Sequence, residues 1–158
     1  MRSRLPLVAA FVGALVSAGC APSVAAHLQT PDGFAALEKQ TDYVYRAASA
    51  EGVVVAIRAE ENRPKSTLDF WVGALDQRLR QAHYLVDGKA AEARSASGLT
   101  GKQLRYTREN QGRKYRFWMT VFVTPERVWV IEAGGDQERF TGPVEETMKK
   151  AIDSFTID

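Results

Sequence analysis

The sequence predicts an α+β domain, an antiparallel β-sheet with helices packed on both faces. Three observations predict it. Apolar residues recur at spacings of three and four in two stretches, Leu68 to Ala82 and Val144 to Phe155, which is the stripe of an amphipathic helix. Between them, apolar runs over 103–133 alternate with short polar turns, the pattern of antiparallel neighbours. Within that block, Tyr115, Phe117, Met119, Val121 and Val123 fall on one side of a strand and Trp118 and Phe122 on the other. Both sides are apolar, so both need cover.

Taken in order, Thr30-Pro31-Asp32-Gly33 is a turn. Tyr43-Val44-Tyr45 and Val53 to Ile57 flank the turn signal Ala50-Glu51-Gly52 and read as a hairpin, which the polar stretch Glu60 to Lys65 ends. Ser66 is placed as an N-cap with Asp69 reaching back to it. The helix that follows buries Leu68, Trp71, Val72, Leu75, Leu79 and Ala82, and Asp76 and Arg80 can pair on its outer side. His83 falls at the helix end, where a cation suits the macrodipole. Tyr84-Leu85-Val86 resumes a strand, Ala90 to Ala96 reads as an edge segment, and Gly98 to Gly101 as a turn rather than a phosphate loop, since no lysine–hydroxyl pair or helix follows. Strands over Gln103–Arg108, Tyr115–Thr124 and Val128–Ala133 come next, and Gly134-Gly135 is expected to stop the sheet. Pro143 opens a final helix burying Val144, Met148, Ala151, Ile152 and Phe155, with Glu145 and Glu146 four residues ahead of Lys149 and Lys150.

The front of the chain reads as an address. Arg2 and Arg4 precede an apolar run from Leu5 to Val16, which closes with Ser17-Ala18-Gly19-Cys20. Basic head, short apolar stretch and small residues are the order of a secretory signal. The ending resembles the lipobox of bacterial lipoproteins, which implies that Cys20, the one cysteine of the chain, is acylated and becomes the first mature residue. The expected division is a signal peptide over 1–19, lipidated Cys20 with a tether to residue 30, and one domain over 31–158. Cys20 then makes the membrane a partner. Ala21 lacks the aspartate of an inner-membrane retention signal and tilts the expectation to an outer membrane, facing the periplasm. Ten residues of tether reach about 33 Å at most, so the domain works near its membrane.

Charge and chemistry narrow the function. Met1 to Gly19 holds two arginines and no acid, so the rest of the chain balances 19 basic against 19 acidic residues, and nothing global attracts nucleic acid. The histidines are His27, in the tether, and His83, which leaves a Ser-His-Asp or Cys-His arrangement little to draw on. No metal-ligand spacing occurs, and neither catalytic residue, metal nor cofactor is expected. Glu132, Asp136 and Glu138 are close in sequence and form the one acidic cluster on which a carboxylate-based hydrolase could rest. Two surfaces are candidates for binding: the cations Arg105, Arg108, Arg113, Lys114 and Arg116, for an anionic partner, and Trp118 and Trp129, which with Trp71 complete the tryptophans, for a protein partner if open to solvent.

Pro31-Asp32-Gly33-Phe34, Tyr84-Leu85-Val86, Gly98 to Tyr106, Val128-Trp129-Val130-Ile131-Glu132 and Phe155 together resemble the PsbP-like and DcrB-like superfamily. The resemblance implies a sheet flanked by helices, a PsbP-like sandwich, and a small envelope protein that binds or assists other proteins. Members include photosystem accessory subunits, bacterial envelope lipoproteins and secretion chaperones. The expected function is therefore a membrane-anchored envelope lipoprotein acting as a non-catalytic protein-binding or assembly module, with an envelope protein as its expected partner. A chaperone-like binder of apolar segments of secreted proteins is the alternative.

Overall fold

A computed structural model describes residues 25–38 and 42–158. The signal segment and Cys20 lie outside the described residues. Among the described residues, ten strands and two helices follow in the order β1 (Ala26–His27), β2 (Phe34–Ala36), β3 (Tyr45–Ser49), β4 (Val54–Glu61), α1 (Leu68–Gln81), β5 (Leu85–Val86), β6 (Ala91–Arg94), β7 (Thr100–Asn110), β8 (Arg113–Val123), β9 (Arg127–Asp136), α2 (Gly142–Asp153) and β10 (Thr156–Ile157). The main sheet runs β2-β3-β4-β9-β8-β7-β5, with β6 also on β7, and its pairings are antiparallel. It is an α+β fold. No helix among the described residues is long and apolar enough to cross a membrane.

Strand alternation divides the core into two clusters. Trp129, Ile131 and Ala133 of β9 join Trp118 and Phe122 of β8, Val55 and Ile57 of β4, and Met148, Ala151 and Ile152 of α2. The residues between them, Val128 and Val130, join Met119 and Val121 of β8, Leu104 and Tyr106 of β7, and Val72 of α1. Period two in the strands and period 3.6 in the helices agree on this division, and the rest of the α1 stripe, Leu68, Trp71, Leu75 and Leu79, packs against the second cluster.

Four local readings change. The N-cap of α1 is Thr67, whose hydroxyl accepts from the Phe70 N–H. Ser66 is held instead by Asn62, whose Oδ1 accepts from the Ser66 N–H at 3.0 Å and from Trp71 Nε1 at 2.8 Å, while its Nδ2 donates to the Thr124 carbonyl. Gly134 and Gly135 continue β9 rather than ending it. A Cβ at Gly134 would meet the Arg116 carbonyl oxygen at 2.8 Å and one at Gly135 would meet Val53 at 3.1 Å, so glycine serves close strand packing here. Residues 26–28 are not free tether: β1 pairs with β10, Ala26 and Leu28 enter the first cluster, and His27 Nε2 lies 3.1 Å from Asp158. Finally, Glu145 does not turn to Lys149; it pairs across to Arg116 of β8.

Candidate functional site, a tyrosine–arginine cleft

The second side of the sheet is only partly covered. Two rows of side chains cross it, placed opposite one another by the ladder register. One row is Arg46, Ala56, Glu132, Met119 and Leu104; the next is Ala48, Val54, Gly134, Phe117 and Tyr106. Leu104, Tyr106 and Met119 lie in the cluster with α1. Beyond it, Val54, Ala56, Gly134 and Phe117 floor a cleft of about 300 Å³ walled by Tyr43, Arg46, Tyr84, Arg108 and Tyr115. The small residues Ala56 and Gly134 make the floor sink.

Each wall residue is set by local structure. Tyr84 follows a helix end of the Schellman type: its N–H donates to the Leu79 carbonyl, the His83 N–H donates to the Arg80 carbonyl, and His83 takes φ of 63°. That reversal packs Tyr84 against Tyr106 and Phe117, with ring centroids at 6.3 and 5.4 Å. Arg108 and Tyr115 are cross-strand neighbours in a hairpin whose two-residue loop, Gln111-Gly112, has positive φ at both positions, the geometry that matches strand twist.

The arginines of the cleft differ in their partners. Arg58, at its edge, donates from Nη2 to the Tyr43 hydroxyl at 2.7 Å and from Nε to Glu132 at 3.3 Å, with its guanidinium 4.5 Å from the Tyr43 ring centroid. Burial pulls the Arg58 pKa down, but Glu132 and Tyr43 outweigh it and hold the group above its ordinary range. Arg46 stands 5.5 Å from the same ring. Arg108 lies 5.0 Å from the Tyr84 ring centroid and donates from Nη1 to the Tyr84 hydroxyl at 3.5 Å. Among the described residues, no carboxylate is within 4.0 Å of Arg108. Among the described residues, the only carboxylate lining the cleft is Glu132, and Arg58 holds it.

The sequence-level candidates fare differently. The five cations do not make one surface. Alternation places Arg105 over the Trp118 ring, 4.4 Å from its centroid, and Arg116 against Glu145, both on the side of the first cluster, whereas Arg108 faces Tyr84. Arg113 and Lys114 sit at the hairpin end beside Asp136 and Glu138. The expected aromatic binding surface is corrected outright: Trp118 is 3% and Trp129 1% exposed, because both point into the first cluster. Glu132, Asp136 and Glu138 do not converge, since Glu132 and Asp136 are roughly 13 Å apart along the strand and Asp136 accepts from the Glu138 N–H in a turn. Among the described residues, no group of three or more His, Cys, Asp or Glu is placed to hold a metal ion.

Sequence reasoning missed Tyr43, Arg46, Arg58, Tyr84 and Tyr115 as a set. The signal that could have found them is parity: Val54, Ala56 and Arg58 share one side of β4 and Glu132 and Gly134 one side of β9, so small and charged residues interrupt an otherwise apolar surface.

No protein-family model matches this chain, and no curated protein matches it; the PsbP-like and DcrB-like resemblance therefore rests on residue pattern alone. Solved structures do resemble it. LpqN, described as involved in cell envelope biogenesis of Mycobacterium tuberculosis, superposes with a TM-score of 0.68 at 13% identity, covering 88% of this chain and 87% of that one. A protein of Bacteroides thetaiotaomicron superposes with a TM-score of 0.56 at 10% identity, covering 85% of this chain and 45% of that one. At these identities the likeness is one of fold.

Proposed function

We propose that this chain is a lipid-anchored protein of the bacterial cell envelope, acting in envelope biogenesis as a non-catalytic binding module whose recognition surface is the tyrosine–arginine cleft. The cleft itself carries the reading: it is concave, ring-walled and cationic, and its one carboxylate is already engaged. Nothing in that lining pairs a nucleophile with a base, which favours binding over turnover. Its volume lies at the small end of ligand pockets, and a protein partner would need a broader surface of about 800 Å². A chaperone for apolar segments calls for a continuous apolar groove, whereas rings and charges alternate here.

The fold shared with LpqN supports an envelope role, Cys20 supports the anchor, and Ala21 in place of an aspartate supports the outer-membrane, periplasm-facing location. Pairing of β1 from Ala26 leaves five residues between it and Cys20, a reach of about 20 Å. The two clusters, one holding α2 residues and one α1 residues, support a sandwich with one helix on each face of the sheet.

The test is a photo-crosslinking residue at Val54, in the cleft floor, in living host cells. A light-dependent adduct with an envelope component is expected at Val54 and not at the exposed Glu126, and it should disappear with Cys20→Ala. Equal labelling at both positions, or none at Val54, contradicts the reading.

A further inference from the structure

We propose that this chain pairs with a second copy of itself through β6, the two β6 strands running antiparallel about a two-fold axis at Ala93. This surface lies apart from the cleft and does not depend on it.

Backbone supply comes first. β6 pairs with β7 and, together with β5, forms one edge of the main sheet. The Ser95 N–H donates to the Leu99 carbonyl at 3.0 Å, so alternation along the ladder turns the N–H and C=O groups of Ala91, Ala93 and Ser95 to β7. Those of Glu92 and Arg94 point outward, to the open edge. Such an edge is a template for another strand. Nothing in β6 blocks it: the strand holds no proline, and Ala91 and Ala93 are small.

Register comes second. Residues with outward backbone groups form the hydrogen-bonded pairs across such a junction, so antiparallel copies can set Glu92 against Glu92, Arg94 against Arg94, or Glu92 against Arg94. The first two place like charges directly opposite, which is destabilising. The third puts Ala93 on the axis and makes two pairs of opposite charge, one on each side of it, each exchanging both backbone bonds. Glu92 and Arg94 are exposed, and among the described residues neither has an ion-pair partner within 4.0 Å. Lys102 is the cross-strand neighbour of Glu92 within the chain, but Asp69 holds it at 2.6 Å. The strand Ala-Glu-Ala-Arg is therefore self-complementary in one register.

The apolar surround comes third. A four-residue ladder is small beside the roughly 800 Å² that each partner of a stable pair buries. Among the described residues the exposed large hydrophobic side chains are Leu37, Phe70, Leu85 and Val86, and three of these border this edge. Leu85 and Val86 form β5, on the same side of β7 as β6. Phe70 follows Asp69, which grips Lys102 opposite Glu92. A second copy seated on β6 lies beside all three.

Sedimentation equilibrium of the full chain in neutral maltoside detergent tests this, joined to oxidation of an Ala93→Cys form in host membranes. A reversible dimer is expected. Ala93→Cys should give a disulfide-linked dimer, because residues of an antiparallel pair without backbone bonds stand about 4.5 Å apart at Cα, within disulfide reach. The parent, whose one cysteine is Cys20, sets the background, and Ala91→Cys, off the axis, should link far less. Glu92→Arg and Arg94→Glu each put like charges opposite one another and should weaken the dimer by about tenfold; the two together should restore it. Thermal melts of each variant separate lost pairing from lost folding. A parent that stays monomeric, even one whose edge captures a strand of another protein, overturns the proposal. So does a combined swap no stronger than the single ones. A dimer indifferent to both swaps and unlinked at Ala93→Cys has its interface elsewhere and overturns it too.

Discussion

The two sides of this sheet are built from the same strands and differ in how completely they are filled. On one, Trp118, Phe122, Trp129, Phe140 and Phe155 share a cluster with Met148, Ala151 and Ile152, with Trp118 and Phe140 edge to face at 5.1 Å and Phe122 and Phe155 stacked at 5.3 Å. On the other, Leu104, Tyr106, Met119, Val121 and Val130 cluster with Val72 of α1, and beyond that cluster Val54, Gly134 and Phe117 floor a cleft. The filled side holds the fold together, and under the proposed function the partly filled side serves recognition. That division can be broken or sharpened by substitutions on each.

The largest expected effect is on the filled side. Phe155 is fully buried against Phe122 and Trp129, and Phe155→Ala should cost about 3–5 kcal/mol, read by urea unfolding with binding assayed on the folded fraction. If stability barely moves, the first cluster is not what holds the fold. Next is Gly134→Ala, which drives a Cβ to 2.8 Å from a backbone carbonyl between two central strands and should cost about 1–3 kcal/mol while also raising the cleft floor.

How much of this was legible in the sequence follows the same division. The helices, the alternation of β8 and the Asp76–Arg80 pair, found at 2.8 Å, follow from local spacing. The cleft does not, because it is assembled from six segments, around Tyr43, Val54, Tyr84, Arg108, Phe117 and Glu132, and register between distant strands sets which residues face one another. The same gap explains Gly134: a glycine pair reads as a turn until the Arg116 carbonyl is known to lie against it. Likewise, five cations clustered in sequence separate once alternation sends Arg105 and Arg116 to one side and Arg108 to the other. Ala26 and Leu28 looked like tether because the partner strand, β10, lies at the far end of the chain.

A smaller effect marks the boundary between the covered and open halves. Tyr106 donates to Asp76 Oδ1 at 2.8 Å, and burial, then that hydrogen bond and the Asp76 charge, raise its phenol well above the ordinary value of about 10. The folded chain therefore keeps the Tyr106 proton where the unfolded chain loses it. This contribution to stability is complete below the unfolded pKa and declines as pH rises through the folded one. Tyr106→Phe should cost about 1 kcal/mol at neutral pH and flatten the alkaline fall of stability relative to the parent; parallel pH profiles would place the hydroxyl in water.

The smallest stability change is expected at Arg58. With side-chain exposures of 38% and 24%, the Arg58–Glu132 pair should contribute under about 1 kcal/mol, so Arg58→Met leaves unfolding nearly unchanged. It also bares the Glu132 carboxylate in the cleft and should weaken binding there more than it weakens the fold. Equal losses in both would make the pair structural.

The most direct test of the cleft as the recognition surface is native mass spectrometry of the full chain purified from its own host's membranes, parent beside Val54→Trp. A discrete bound envelope component is predicted on the parent and absent from Val54→Trp, which should melt within a few degrees of the parent because the half-buried Val54 side chain has the cleft to expand into. The same bound mass on both chains, or none on the parent, would contradict the account.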